Sequence, residues 1–232
     1  MMNVYQIRLK TYLLTDIPLD IAQKKITAFI DSAIGKDEKL LGLHEVNMFK
    51  CYCSNLFFPQ EADKIYKKDK IYTITIRTIS WQLAQFFTSD SFINHCSREM
   101  KGLTVQPMII QPRFIEMIYS LTPVVLKDDE GYWRSFMNID EYAYRIKTNL
   151  IKKYNQFFDQ RLDEDFQLFN AIEFINRKPI SCKYKKINLL GDKIRLHAAQ
   201  DETAQLICHM ALGTGIGEMN ARGFGFVNCK YI

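Results

Sequence analysis

Gly213-Thr214-Gly215-Ile216-Gly217-Glu218-Met219-Asn220-Ala221-Arg222-Gly223-Phe224-Gly225-Phe226-Val227 holds five of the ten glycines in the chain. A helix-like run, residues 201–212, precedes it, with Asp201 as N-cap and Ala204, Ile207, Cys208, Ala211 and Leu212 turned inward. A strand-like run, residues 224–232, follows. The glycines are arranged symmetrically: Gly-apolar-Gly, five residues, Gly-apolar-Gly. Glycine lets backbone N–H groups turn outward and lets another backbone come close. A string of such amides at a helix–strand junction predicts a concave donor surface suited to phosphates. The plain alternative is a C-cap at Gly213 followed by a glycine-softened hairpin.

Two familiar phosphate motifs do not fit. A dinucleotide fingerprint needs a third glycine where Glu218 stands and a helix after it. A Walker loop needs Gly-Lys-Ser/Thr, which is missing, so a nucleotide-binding enzyme is disfavoured. Residues 222–227 instead spell Arg-Gly-Phe-Gly-Phe-Val, the front of the RNA-recognition-motif octapeptide, with Cys229 in place of its last aromatic. That motif expects a further helix and strand, so a single module of this type is the wrong register.

Composition sets loose bounds. The 232 residues make one large domain or two of about 110. Forty-seven per cent apolar and 25 per cent charged residues describe a soluble protein with real cores. The formal charge of +5 argues only weakly for an anionic partner. Six cysteines (51, 53, 96, 182, 208, 229) form no Cys-x-x-Cys pair, which favours core packing and reduced thiols in the cytoplasm. The first residues lack a signal-peptide apolar region. No apolar run reaches the roughly 20 residues of a membrane helix.

Along the chain, residues 4–14 read as a strand. An amphipathic helix follows, opened by Asp16 and Pro18 and closed by Gly35. Residues 43–59 begin as a loop and end as a buried strand stopped by Pro59. Residues 61–70 are a solvated charged turn, and 72–77 a half-buried strand. Residues 81–87 read as a helix and 103–110 as a strand, which completes β-α-β-β-α-β, the ferredoxin-like motif. Pro107 and Pro112 bracket a junction, dividing the chain into residues 1–111 and 112–232.

In the second half, residues 114–126 read as a strand interrupted late by Pro123. Asn138 and Glu141 make a capping box for a helix whose apolar face carries Tyr142, Ile146, Leu150, Phe157 and Phe158. A strand over 166–175 leads into a basic hairpin with its turn at Gly191-Asp192. Residues 177–195 hold seven Lys/Arg against one acid, a local excess above the charge of the whole chain. Lysines also guard sheet edges, so RNA contact is one of two readings of this stretch. The second half repeats the first motif, and the expected fold is α+β: two tandem ferredoxin-like domains.

The pattern Gly215-x-Gly217-x5-Gly223-x-Gly225 resembles the glycine-rich loop of the CRISPR repeat-processing endoribonucleases, in the repeat-associated RNA-binding superfamily. The resemblance covers nearly the whole chain as architecture and two short stretches as motif. It implies cleavage of CRISPR precursor RNA within each repeat, without metal or other cofactor, leaving a 2′,3′-cyclic phosphate and a 5′-hydroxyl. The implied partners are repeat RNA and other CRISPR effector-complex subunits, for a monomer or homodimer. In that family a histidine after the first helix and a lysine several residues beyond it flank the scissile phosphate. His44 and Lys50 fall at those places. Some members add a tyrosine on the first helix; here the helix carries Phe29. Either His44 works with Lys50 alone, or another hydroxyl such as Tyr52 substitutes.

The residue types suit the chemistry. A histidine with a free pKa near 6.5 moves protons at neutral pH, and a lysine places a point charge on the phosphate. Binding is expected from Gly215, Gly217, Arg222, Gly223 and Gly225, and from Lys178, Lys183, Lys185, Lys186, Lys193 and Arg195, with a salt-dependent, sequence-blind component. Without cleavage, the same features describe a subunit that holds guide RNA.

Overall fold

The structure is a computed structural model and describes residues 2–38, 40, 42, 48–184 and 187–232. The first strand, β1 (Val4–Leu13), buries Ile7, Leu9 and Leu13 and exposes Arg8 and Lys10 between them, the period of two that a half-buried strand needs. Helix α1 (Leu19–Ile34) starts directly after Pro18, which lacks an N–H to satisfy. Then come β2 (Tyr52–Ser54), β3 (Ile71–Thr78), α2 (Trp81–Phe87) and β4 (Met100–Ile110). The four strands pair antiparallel in the order β2-β3-β1-β4. Numbered within the motif, that is the 2-3-1-4 order of a ferredoxin-like sheet. The last strand begins earlier than the sequence predicts, because Gly102 lets it pass the turn at Ile93. A Cβ there would lie 2.2 Å from the Ile93 carbonyl oxygen.

The second half repeats the arrangement with β5 (Ile115–Ser120), α3 (Ile139–Phe158), β6 (Phe169–Phe174), the hairpin β7 (Ile180–Tyr184) and β8 (Ile187–Gly191), β9 (Ile194–Ala198), α4 (Glu202–Thr214) and β10 (Val227–Tyr231). Its sheet order, β10-β5-β9-β6, is the same ferredoxin-like order. The predicted capping box forms: Asn138 Oδ1 accepts from the Glu141 amide at 2.9 Å, and the Glu141 carboxylate accepts from the Asn138 amide at 2.8 Å. Asp201 caps α4 through the amides of Thr203 and Ala204.

Several boundaries differ from the sequence reading. Helix α4 runs on to Thr214 and is capped by Gly215. Gly213 is therefore inside the helix, where the lack of a side chain lets α4 lie against Ile79 and Val4 of the first half. The strand expected over 114–126 stops at Ser120 because Val124 crosses to pair with Asp192. The strand expected from 166 starts at Phe169. The final strand starts at Val227, since Gly223 and Gly225 take left-handed backbone angles incompatible with a strand.

The hairpin also differs. Its turn is not Gly191-Asp192: Tyr184 stands opposite Ile187, and Gly191 stands opposite Ile180 at the base. Asp192 is fully buried there and gathers donors. The Tyr132 hydroxyl and Trp133 indole N–H both donate to Oδ2 at 2.7 Å, and Asn176 and Arg134 donate to Oδ1 at 2.7 and 3.1 Å. A buried carboxylate is tolerated only when so partnered, and this one fixes where the basic hairpin leaves the sheet.

Each half has its own apolar cluster, but the second cluster also takes in Met2, Val4 and Ile79 from the first half. Arg77 of β3 ties the halves together as well. Its guanidinium donates to Gln6 on its own sheet at 2.8 Å, to the Val227 carbonyl at 2.7 Å and to Asn228 at 3.3 Å, and lies over the Phe226 ring.

Asp192→Ala strands the Tyr132, Trp133 and Asn176 donors in a dry site and should cost about 3 kcal/mol of stability, read by denaturant unfolding.

Candidate nucleic-acid interface

Three elements converge where the halves meet. One face of α1 presents Gln23, Thr27 and Asp31 toward the second half. The segment entering β2 carries Lys50, Cys51 and Tyr52, with Cys51 in a left-handed turn (φ 57°) whose carbonyl accepts from the Thr78 hydroxyl at 2.6 Å. From the far side comes the glycine-rich loop, bringing Arg222.

Their side chains form one charge cluster. Arg222 is ion-paired with Asp31, and its backbone carbonyl accepts from the Gln23 amide at 2.7 Å. Tyr52 is buried beside the same Asp31 carboxylate and feels its charge. Burial first, and then Asp31, push the Tyr52 phenol far above its ordinary value. Lys50 stands close enough to feel both charges. Partial burial lowers its pKa, the Arg222 guanidinium lowers it further, and Asp31 offsets part of the effect. Two cations crowded beside one carboxylate make a place where an added anion is favoured.

Asp31, Gln23 and Arg222 of this cluster line a cleft of about 1000 Å³ between α1 and the β7–β8 hairpin. Its walls include Lys24, Lys64, Lys183, Lys193 and Arg222 against Asp20 and Asp31. Phe58 stands at the rim, 71% exposed, on backbone paired in both directions with Thr73. The sequence reading passed over it.

The glycine-rich loop behaves differently from the expected outward-facing cradle. Gly215 N–H donates to Ala211, Ile216 N–H to Gly225, Glu218 N–H to Val125, Gly223 N–H to Asn220 and Gly225 N–H to Pro123, all at 2.8–2.9 Å. The Phe226 amide donates to the Thr122 hydroxyl at 2.8 Å. These amides are therefore used inside the protein, and what the loop offers the cleft is the Arg222 side chain. Gly215, Gly217, Gly223 and Gly225 all have positive φ, and they shape the loop.

The loop is centred on a group that the sequence did not reveal. Lys153 of α3 is buried, and its ammonium donates to the Gly215 carbonyl at 2.9 Å, the Gly217 carbonyl at 2.8 Å and Asn220 Oδ1 at 2.7 Å. Burial pushes the amine down to about 7. Only the protonated form has three N–H groups for those three oxygens. One signal was available: Lys153 sits three residues after Leu150 and four before Phe157, inside the apolar stripe of its helix.

The remaining expected contacts scatter. Lys183 and Lys193 line the cleft. Lys178 is exposed beyond it. Arg195 lies on β9, exposed and paired with Glu173 at 3.3 Å, so it belongs to the sheet and not to the hairpin. His44, Lys185 and Lys186 lie outside the described residues.

Comparison with known proteins bears on the family and the fold. The family model described as "CRISPR associated protein Cas6, C-terminal" matches residues 107–229, more than half of the chain. The CRISPR-associated endoribonuclease Cas6 2 of Methanocaldococcus jannaschii is 24% identical over 231 residues, spanning 90% of this chain and 92% of that protein. Among solved structures, the product of a Cas6-related gene from Pyrococcus furiosus superposes with a TM-score of 0.70 at 18% identity, covering 98% of each chain. A RAMP protein binding different RNA substrates gives 0.71 at 14% identity, covering 97% of this chain and 99% of that one. At such identities the structural likeness is one of fold.

The loop leaves no room for a side chain at Gly225, where a Cβ would meet the Ile216 carbonyl oxygen at 1.9 Å. Gly225→Ala should lower stability by at least about 2 kcal/mol in denaturant titration.

Proposed function

The chain belongs to the Cas6 family of CRISPR-associated proteins, and on that premise we propose that it is an endoribonuclease that cuts CRISPR precursor RNA within its repeats. The observation carrying this reading is the Arg222–Asp31 ion pair joining the two halves in the lining of a basic cleft, with Lys50 near enough to feel both charges. The phosphate to be cut sits against those two cations.

In this reaction the 2′-oxygen bonds to phosphorus and the bond to O5′ breaks. One proton leaves the 2′-hydroxyl and one reaches O5′. His44 handles a proton, since imidazole titrates near neutrality. Lys50 and Arg222 stabilise the charge that builds on the non-bridging oxygens. Tyr52 is too buried to serve as an acid: burial pushes its phenol far above its ordinary value. The products are a 2′,3′-cyclic phosphate and a 5′-hydroxyl, formed without a metal ion. Residues 1–111 supply the proton-transfer side and residues 112–232 the hairpin and loop that hold the strand. Lys183 and Lys193 neutralise phosphates along the way, and Phe58 offers an aromatic face on which an unpaired base stacks.

Repeat RNA incubated with the protein in EDTA should be cut once per repeat. His44→Ala should slow cleavage by about 10²–10⁴-fold while binding survives. Binding without cleavage by the wild type would contradict the assignment and leave a subunit that only holds guide RNA. Phe58→Ala should weaken repeat binding by about 5- to 100-fold, the loss of one stacked base, measured by filter binding.

A further inference from the structure

Lys153 does more than fill the glycine-rich loop. The same ammonium that takes the two glycine carbonyls and Asn220 also lies over the ring of Phe49, 5.1 Å from its centroid. One turn along the same face of α3, Gln156 grips the backbone of Phe49 at both ends. Its Oε1 accepts from the Phe49 amide and its Nε2 donates to the Phe49 carbonyl, each at 3.1 Å. Phe49 immediately precedes Lys50. Thus one face of one helix holds the loop that carries Arg222 and the segment that carries Lys50. Those two cations come from opposite halves of the chain.

We propose that Lys153 is a positioning residue for RNA cleavage, setting the separation between Lys50 and Arg222 by holding the glycine-rich loop and Phe49 on a single ammonium. The inference rests on the cleavage reading above. Lys153 is buried and does not touch the RNA, so it acts through the two cations it aligns. Removing it leaves the cleft walls Lys24, Lys64, Lys183 and Lys193 in place, which keeps sequence-blind phosphate binding. The geometry of the phosphate clamp loosens, and a misplacement of about 1 Å at reacting atoms costs on the order of 10²-fold in rate.

The test separates rate from affinity. Lys153→Met keeps the length and the apolar stem but has no ammonium. Two quantities are measured: the single-turnover cleavage rate at saturating enzyme, and the dissociation constant for the same repeat carrying a 2′-deoxyribose at the cut. The rate should fall about 10- to 100-fold with the dissociation constant within about threefold of wild type. A residue that merely stabilised the fold would lower the active fraction and leave the saturated rate of the folded protein unchanged. If Lys153→Met does not fold, Phe49→Leu keeps the loop's ammonium cage and the Gln156 hydrogen bonds and removes only the ring contact between Lys153 and the segment that carries Lys50; it should show the same split in the same direction. A wild-type rate in whichever variant folds overturns the proposal. An inert wild type overturns the cleavage reading itself, and the positioning role with it.

Discussion

A buried ammonium at the centre of the glycine-rich loop shapes the segment that reaches from the second half of this molecule to the first. Lys153 offers three N–H groups, and the curve of the glycine-rich loop supplies two carbonyl oxygens and an amide oxygen at hydrogen-bonding distance. Burying an unpaired charge is costly, so the loop and the lysine require each other. The loop closes only where the cation is, and the cation is tolerated only where the loop closes. The positive φ angles at Gly215, Gly217, Gly223 and Gly225 follow from that closure. They turn carbonyls inward, which is the opposite of the amide-out cradle that such glycines suggest.

From this anchor the rest of the cleft follows. The loop delivers Arg222 to Asp31 on α1, beside the buried Tyr52. The first half contributes Lys50 beside them. Arg77 and the end of α4 close the opposite side of the junction, with Gly213 allowing α4 to press on Val4 and Ile79. At the other wall, Asp192 fixes the root of the basic hairpin through Tyr132, Trp133, Arg134 and Asn176. Two ferredoxin-like sheets joined in this way leave one groove where cations from both converge, and the chemistry proposed for the family member needs such convergence.

Much of this architecture was legible in the residues. Alternation in β1 and β3, the 3.6-residue period in α1 and α3, and the caps Asn138 and Asp201 are local signals, and the structure repeats them. What was not legible is long-range. Gly191-Asp192 has turn chemistry, but Asp192 is drawn inward by three aromatic and polar neighbours from residues 132–134 and by Asn176, none of them close in sequence. The strand expected beyond Ser120 is lost because Val124 finds a bridge partner in Asp192. The sequence marked the loop's glycines as special, yet only the tertiary position of Lys153 shows that their carbonyls turn inward. Arg195 joined the hairpin by charge alone and belongs to a sheet by register. The sequence singled out Lys50 and Arg222 separately; that each feels the other's charge could not be read from residues 172 positions apart.

The most direct measurement is the structure of the protein bound to an uncleavable repeat RNA with a 2′-deoxyribose at the cut. The account predicts the uncut phosphate between Lys50 and Arg222, at ion-pairing distance from both, with His44 reaching the 2′ position or O5′. An RNA strand bound by the hairpin and open sheet faces, with that phosphate remote from both cations, would contradict it.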